Sequence, residues 1–99
     1  MAGEIAALRL DKFLYFARFA KSRSKANDLI VAGRPRVDGH PVESVHSGVA
    51  IGNVINFTLH DHIRIIRVTA LPVRRGPPAE ARACFDDLSP AQEIDAATD

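Results

Sequence analysis

KSRSKANDLIVAGRPRVDGHPV, residues 21–42, holds a helix, its stop signal and a hairpin in a single run. Ser22 is a natural N-cap, because its side-chain oxygen can accept one of the free N–H groups of a first helical turn. From Arg23 to Ala32 the apolar Ala26, Leu29 and Ile30 share one face, as a short amphipathic helix requires. Gly33 then suits the left-handed C′ position that closes a helix, and Arg34-Pro35 blocks continuation. Next, Arg36-Val37 and His40-Pro41-Val42 flank Asp38-Gly39. Both central residues tolerate positive φ, so this is among the strongest short hairpin signals.

Upstream, Leu10, Phe13, Leu14 and Ala17 recur at i, i+3, i+4 and i+7, which predicts a first helix over Leu10–Phe19. Lys12 and Arg18 lie off its apolar stripe. Tyr15, Phe16 and Phe19 widen that stripe, and Tyr15 and Phe19 are assigned to packing rather than to stacking on an unpaired base. Only Ala20 to Ser22 separate the two helices, so they must be neighbours at a steep angle. Downstream, Ser47–Asn53 reads as a turn region, Val54–Leu59 as a strand, His60-Asp61-His62 as a turn and Ile63–Leu71 as a returning strand ended by Pro72. Val73–Pro78 reads as a linker, and Ala79–Leu88 as a short final helix. The order ααββββα with antiparallel hairpins predicts an α+β domain, two short helices packed on a small antiparallel sheet. The expected organisation is a flexible start over 1–8, a core domain over 9–71, a linker with a short helix over 72–88, and an acidic, Ala-rich disordered tail over 89–99.

Ninety-nine residues, 46% apolar and 25% charged, fit one small globular domain. The lone Cys84 excludes an internal disulfide framework and a cysteine-built zinc cage, and is expected to be a buried, inert thiol. No apolar run approaches the roughly 18 residues of a membrane span, and Met1–Ala7 lacks a secretory signal's basic region, so a cytoplasmic protein without membrane contact is expected.

Charge carries the functional signal. Between Arg9 and Arg36 stand eight Lys and Arg residues against Asp11 and Asp28, a local charge of +6 in a chain whose formal total is +1. Neutralising phosphates releases condensed counterions, so a one-sided basic face of this kind points to nucleic acid. Lys21-Ser22-Arg23-Ser24-Lys25 falls at a helix N-terminus, where free N–H groups, two hydroxyls and three cations suit a phosphate. Asp11 is expected to orient Arg9 or a nearby lysine. Arg34 and Arg36 continue the basic surface; Arg74 and Arg75 either extend it from the linker or are simply solvated. His60-Asp61-His62 lacks a third ligand at metal spacing, and no nucleophile–base set, P-loop or carboxylate pair is present. No metal, cofactor or enzyme activity is expected. A second helix of about ten residues is too short for a major-groove reader, whereas a flat basic face suits folded RNA.

Arg9-Leu10-Asp11-Lys12-Phe13-Leu14, Ala17-Arg18, Lys21 to Ala26, Leu29-Ile30, Gly33 and Arg36-Val37-Asp38-Gly39 resemble the S-four RNA-binding domain, or alpha-L motif. The continuation Arg74-Arg75-Gly76-Pro77-Pro78-Ala79-Glu80-Ala81 resembles the ribosome-associated fifteen-kilodalton heat-shock proteins within that superfamily. Those members carry a lysine-rich C-terminal extension where this chain has Glu93, Asp95 and Asp99, and tryptophans where it has Phe13 and Tyr15. The resemblance implies an RNA face formed by Arg9, Lys12, Arg18, Lys21, Ser22, Arg23, Lys25 and Arg36. To these the charge reading adds Ser24, Arg34, Arg74 and Arg75. It also implies ribosomal RNA or ribosome-bound tRNA as partner, on large subunits carrying a nascent chain, and the protein is expected to be a monomer. The rival expectation is an accessory or protein-interaction module serving an RNA-modifying enzyme or a larger assembly.

Overall fold

The computed structural model describes residues 6–89; the expected acidic tail beyond Ser89 and most of the expected flexible start lie outside them. The chain begins with β1 (Leu8–Arg9) and runs directly into α1 (Leu10–Phe16). Leu10, Phe13 and Leu14 are fully buried, as their spacing predicts, and each contributes about 1.5–3 kcal/mol through burial. The helix stops earlier than its apolar pattern suggests. Arg18 takes a left-handed φ of 69°, Phe19 N–H donates to the Leu14 carbonyl at 2.9 Å and Arg18 N–H to that of Tyr15 at 3.1 Å. This is a Schellman closure with arginine where glycine is usual.

The second helix, α2 (Arg23–Gly33), starts at Ser22, whose Oγ accepts the Lys25 backbone N–H at 3.0 Å. Its end corrects the expectation. Arg34, not Gly33, is left-handed (φ 48°), while Gly33 is the last helical residue and is buried. Gly33 is required by contact: a Cβ there would stand 2.8 Å from the Thr58 carbonyl oxygen.

The hairpin β2 (Arg36–Val37) and β3 (His40–Pro41) turns at Asp38-Gly39, both at positive φ. Within the anticipated turn region lies β4 (Gly48–Val49), which pairs with β1 in a separate two-stranded ladder. The long strands β5 (Val54–Leu59) and β6 (His62–Val68) pair along their length, with His60 and Asp61 both at positive φ between them. β6 ends at Val68, short of the predicted Leu71. The expected helix over Ala79–Leu88 divides into α3 (Pro78–Arg82) and β7 (Phe85–Asp87), which pairs with β6. The main sheet is antiparallel, ordered β3-β2-β5-β6-β7.

Helices and sheet share one core, in which Leu10, Phe13, Leu14, Ala26 and Ile30 meet Ile55, Phe57, Ile66, Val68 and Cys84. The α+β architecture is as predicted. Cys84 is buried, and burial, followed by the nearby Glu80 charge, pushes its thiol pKa up.

Candidate nucleic-acid interface

Asp11 organises the basic face from inside. Its side chain is fully buried in the first turn of α1. Oδ1 accepts the Lys12 backbone N–H at 2.8 Å and Arg9 Nε at 3.1 Å; Oδ2 accepts Arg9 Nη2 at 2.7 Å and Arg23 Nη2 at 3.2 Å. Burial acts to raise its pKa, but the hydrogen bonds and charges of Arg9 and Arg23 outweigh that, and the carboxyl titrates below its ordinary range. The expected role of Asp11 is therefore met with two arginines rather than a lysine. The two guanidiniums, one preceding α1 and one from the first turn of α2, are fixed side by side with about two-fifths of each side chain exposed (41% and 42%).

Lys21, Ser24 and Lys25 are exposed next to this pair, and Lys12 is half-buried. None of the three lysines makes an ion pair among the described residues. The Ser22 oxygen is occupied as a cap, leaving its hydroxyl proton free to donate. The first-turn N–H groups of Arg23 and Ser24 have no intrahelical acceptor, so this end of α2 presents donors and positive charge together.

Arg34 and Arg36 sit at the other end of α2, about 16 Å away along an 11-residue helix. Arg36 Nη1 donates to the Gly39 carbonyl at 3.0 Å and braces the hairpin turn. Asp38 ties that turn to β5, accepting the Val54 N–H and Asn53 Nδ2, each at 2.8 Å. Three of the sequence-predicted residues serve the protein itself. Arg18 Nε donates to the Gly76 carbonyl at 2.7 Å, and Arg75 Nε to that of Tyr15 at 3.1 Å. The Arg75 guanidinium also lies 5.1 Å from the Tyr15 ring centre. Arg74 forms a two-point pair with Glu80 at 3.2 and 2.7 Å, largely in solvent. The segment read as a linker is thus fastened to the end of α1. Arg64 and Arg82, outside the set the sequence points to, are brought by the β5–β6 hairpin and α3 to the Arg18, Lys21 and Lys25 side; in the sequence, only the alternation of Arg64 with Ile63 and Ile65 in a strand signals it.

Compared with known families, residues 8–55 match the model described as S4 domain. This chain carries an S4 domain. The matched segment holds the Arg9–Asp11–Arg23 lock, both helices and the Asp38-Gly39 hairpin. Among solved structures, the trimeric Vibrio cholerae Heat Shock Protein 15 is similar at a TM-score of 0.75 and 26% identity, over 92% of this chain and 89% of that one. No curated protein matches the sequence. The Vibrio cholerae structure is a trimer, which overturns the expectation of a monomer. Net charge and length say nothing about self-association. That depends on apolar side chains left outside, and here the S4-domain protein exposes Val31, Ile51, Ile63, Val73 and Leu88 on an elongated body of 52 × 27 × 25 Å. Among the described residues no helix is long and apolar enough to cross a membrane, and no group of three His, Cys, Asp or Glu stands ready for a metal.

Proposed function

We propose that this protein is a non-catalytic binder of structured ribosomal RNA, or of tRNA held on the ribosome, acting on large subunits that carry a nascent chain. The observation that carries the reading is the buried Asp11 holding Arg9 and Arg23 beside the capped start of α2, within an S4 domain. Arg9, Lys12, Lys21, Ser22, Arg23, Ser24 and Lys25 form the principal phosphate-binding patch. Arg34 and Arg36 form a second, one helix length away. Arg18, Arg74 and Arg75 border the face and chiefly hold its shape. Phosphate contacts supply affinity, and the spacing of the two patches selects RNA by shape. Likeness to a trimeric heat-shock protein supports self-association and a role under stress; assembly would multiply the face and raise avidity.

Sedimentation of lysate through a sucrose gradient, with and without nascent-chain stalling, tests the ribosomal part. The expected result is enrichment on free large subunits when chains are stranded. Persistence at the top of the gradient would refute it. With about five phosphate contacts, log K against log salt should fall with a slope of roughly −3.5 to −4.5 on structured RNA. Lys21→Glu with Lys25→Glu should abolish binding without unfolding, because both lysines are exposed and make no ion pair among the described residues. Reversal of Arg23 would not be a clean test, since it would face a buried carboxylate.

A further inference from the structure

Behind the start of α2, a cleft of about 670 Å³ opens between the end of α1, the β5–β6 turn and α3. Its lining carries Arg18, Lys21, Lys25, His60, Arg64 and Arg82 and contains neither Asp nor Glu. Its floor is apolar, with Phe19, Leu59 and Phe85. The Phe19 ring is set by Phe85 at 4.8 Å and Phe57 at 5.4 Å between centroids, and the Arg64 guanidinium lies 5.2 Å over it. Arg64 is itself held by Asp87 and by the Ser89 hydroxyl, so this cation–aromatic stack is anchored at both layers. Arg82 is exposed and without an ion pair among the described residues.

We propose that this cleft binds an unpaired nucleotide of an RNA strand that leaves the structured region gripped by the S4 domain. The proposal rests on the RNA-binding reading above and extends it to residues outside the matched segment 8–55. A basic rim over an aromatic floor is the pattern that serves single-stranded nucleic acid, with phosphates on the rim and bases against rings or guanidinium planes. Its volume falls within the range of small-ligand pockets, roughly 300–1,000 Å³. The cleft shares Lys21 and Lys25 with the principal patch, so one strand can engage both. An acidic peptide would satisfy the rim but leave the aromatic floor unused. Arg18 supports the assignment: it borders the cleft in a left-handed conformation that glycine would adopt at lower energy, and its Nε pins the Gly76 carbonyl there.

The test is fluorescence anisotropy with the full chain and two labelled RNAs, a blunt hairpin and the same hairpin bearing a short single-stranded extension at either end. The extension should tighten binding on the order of tenfold, as stacking of one or two bases allows. Arg82→Glu should remove most of that gain while leaving the blunt hairpin within about twofold, with an unchanged thermal melt certifying the fold. Equal affinity for both RNAs, or equal weakening of both by Arg82→Glu, would overturn the proposal while leaving the RNA-binding reading in place. Displacement by a polyglutamate peptide as effective as by an unlabelled single strand of equal charge would also overturn it, making the cleft a surface for acidic protein. Failure of the blunt hairpin to bind at all would overturn both readings.

Discussion

Replacing Asp11 with Asn tests whether the basic face is assembled from within. The change keeps shape but converts one carboxylate oxygen to an amide that donates. That group would point its hydrogens at Arg9 or Arg23, both of which now donate to Asp11 at 2.7–3.2 Å. Removing one partner of a buried, hydrogen-bonded charge pair costs about 3–5 kcal/mol when both ends are desolvated. Here the arginines are two-fifths exposed and can rehydrate, so the loss should be nearer 2–3 kcal/mol, about one charge-assisted hydrogen bond. In a chain of this size that lowers Tm by roughly 8–24 °C. Urea melts at pH 7 would read it directly. The pH dependence adds a second check. The folded-state pKa of Asp11 is depressed, so its contribution is fully present above the unfolded value of about 3.9 and is lost as pH falls through the lower folded value. Wild type and Asp11→Asn should therefore converge in stability at strongly acid pH. A variant as stable as wild type at pH 7, within about 0.5 kcal/mol, would refute the idea that this carboxylate joins the two helices.

Three further outcomes are expected. Gly33→Ala should destabilise by about 1–3 kcal/mol despite alanine's better helix propensity, because the new methyl would meet the Thr58 carbonyl; equilibrium denaturation decides it. Arg75→Ala removes the hydrogen bonds to the Tyr15 and Ala20 carbonyls and the ring contact, and should cost about 1–2 kcal/mol while raising amide exchange at the end of α1. Cys84 should resist alkylation in the native protein at pH 7.5 and react promptly in urea, since it is buried with a raised pKa; equal labelling rates would contradict its placement in the core.

Features written in adjacent residues were legible in the sequence. The Ser22 cap, the inward face of α2 and the Asp38-Gly39 hairpin each depend on a few neighbours, and each stands where the pattern puts it. Helix ends were less legible because Arg18 and Arg34 occupy the left-handed positions, and arginine carries no signal for that conformation. β7 was hidden for a different reason. Ala79 to Ala83 favours a helix, and only pairing with Ile66–Val68 turns Phe85–Asp87 into a strand. β1 and β4 are two residues each, too short for any periodicity to register. In the candidate site, the charges were plain but their internal partners were not. Arg18 meets Gly76 and Arg75 meets Tyr15 across 58 and 60 residues, distances over which a single sequence is silent.

The segment that matches the family ends at residue 55, two residues into the six-residue strand β5. Phe57, Ile66, Val68 and Cys84, which close the core beneath the helices, all come later. A fragment cut at the family boundary would hold most of the side chains proposed to contact RNA yet lack the floor they stand on, and would bare the unpaired backbone of a truncated sheet. The segment that matches the family and the unit that folds are different lengths of the same chain, and only the longer one would keep its core when moved into another protein.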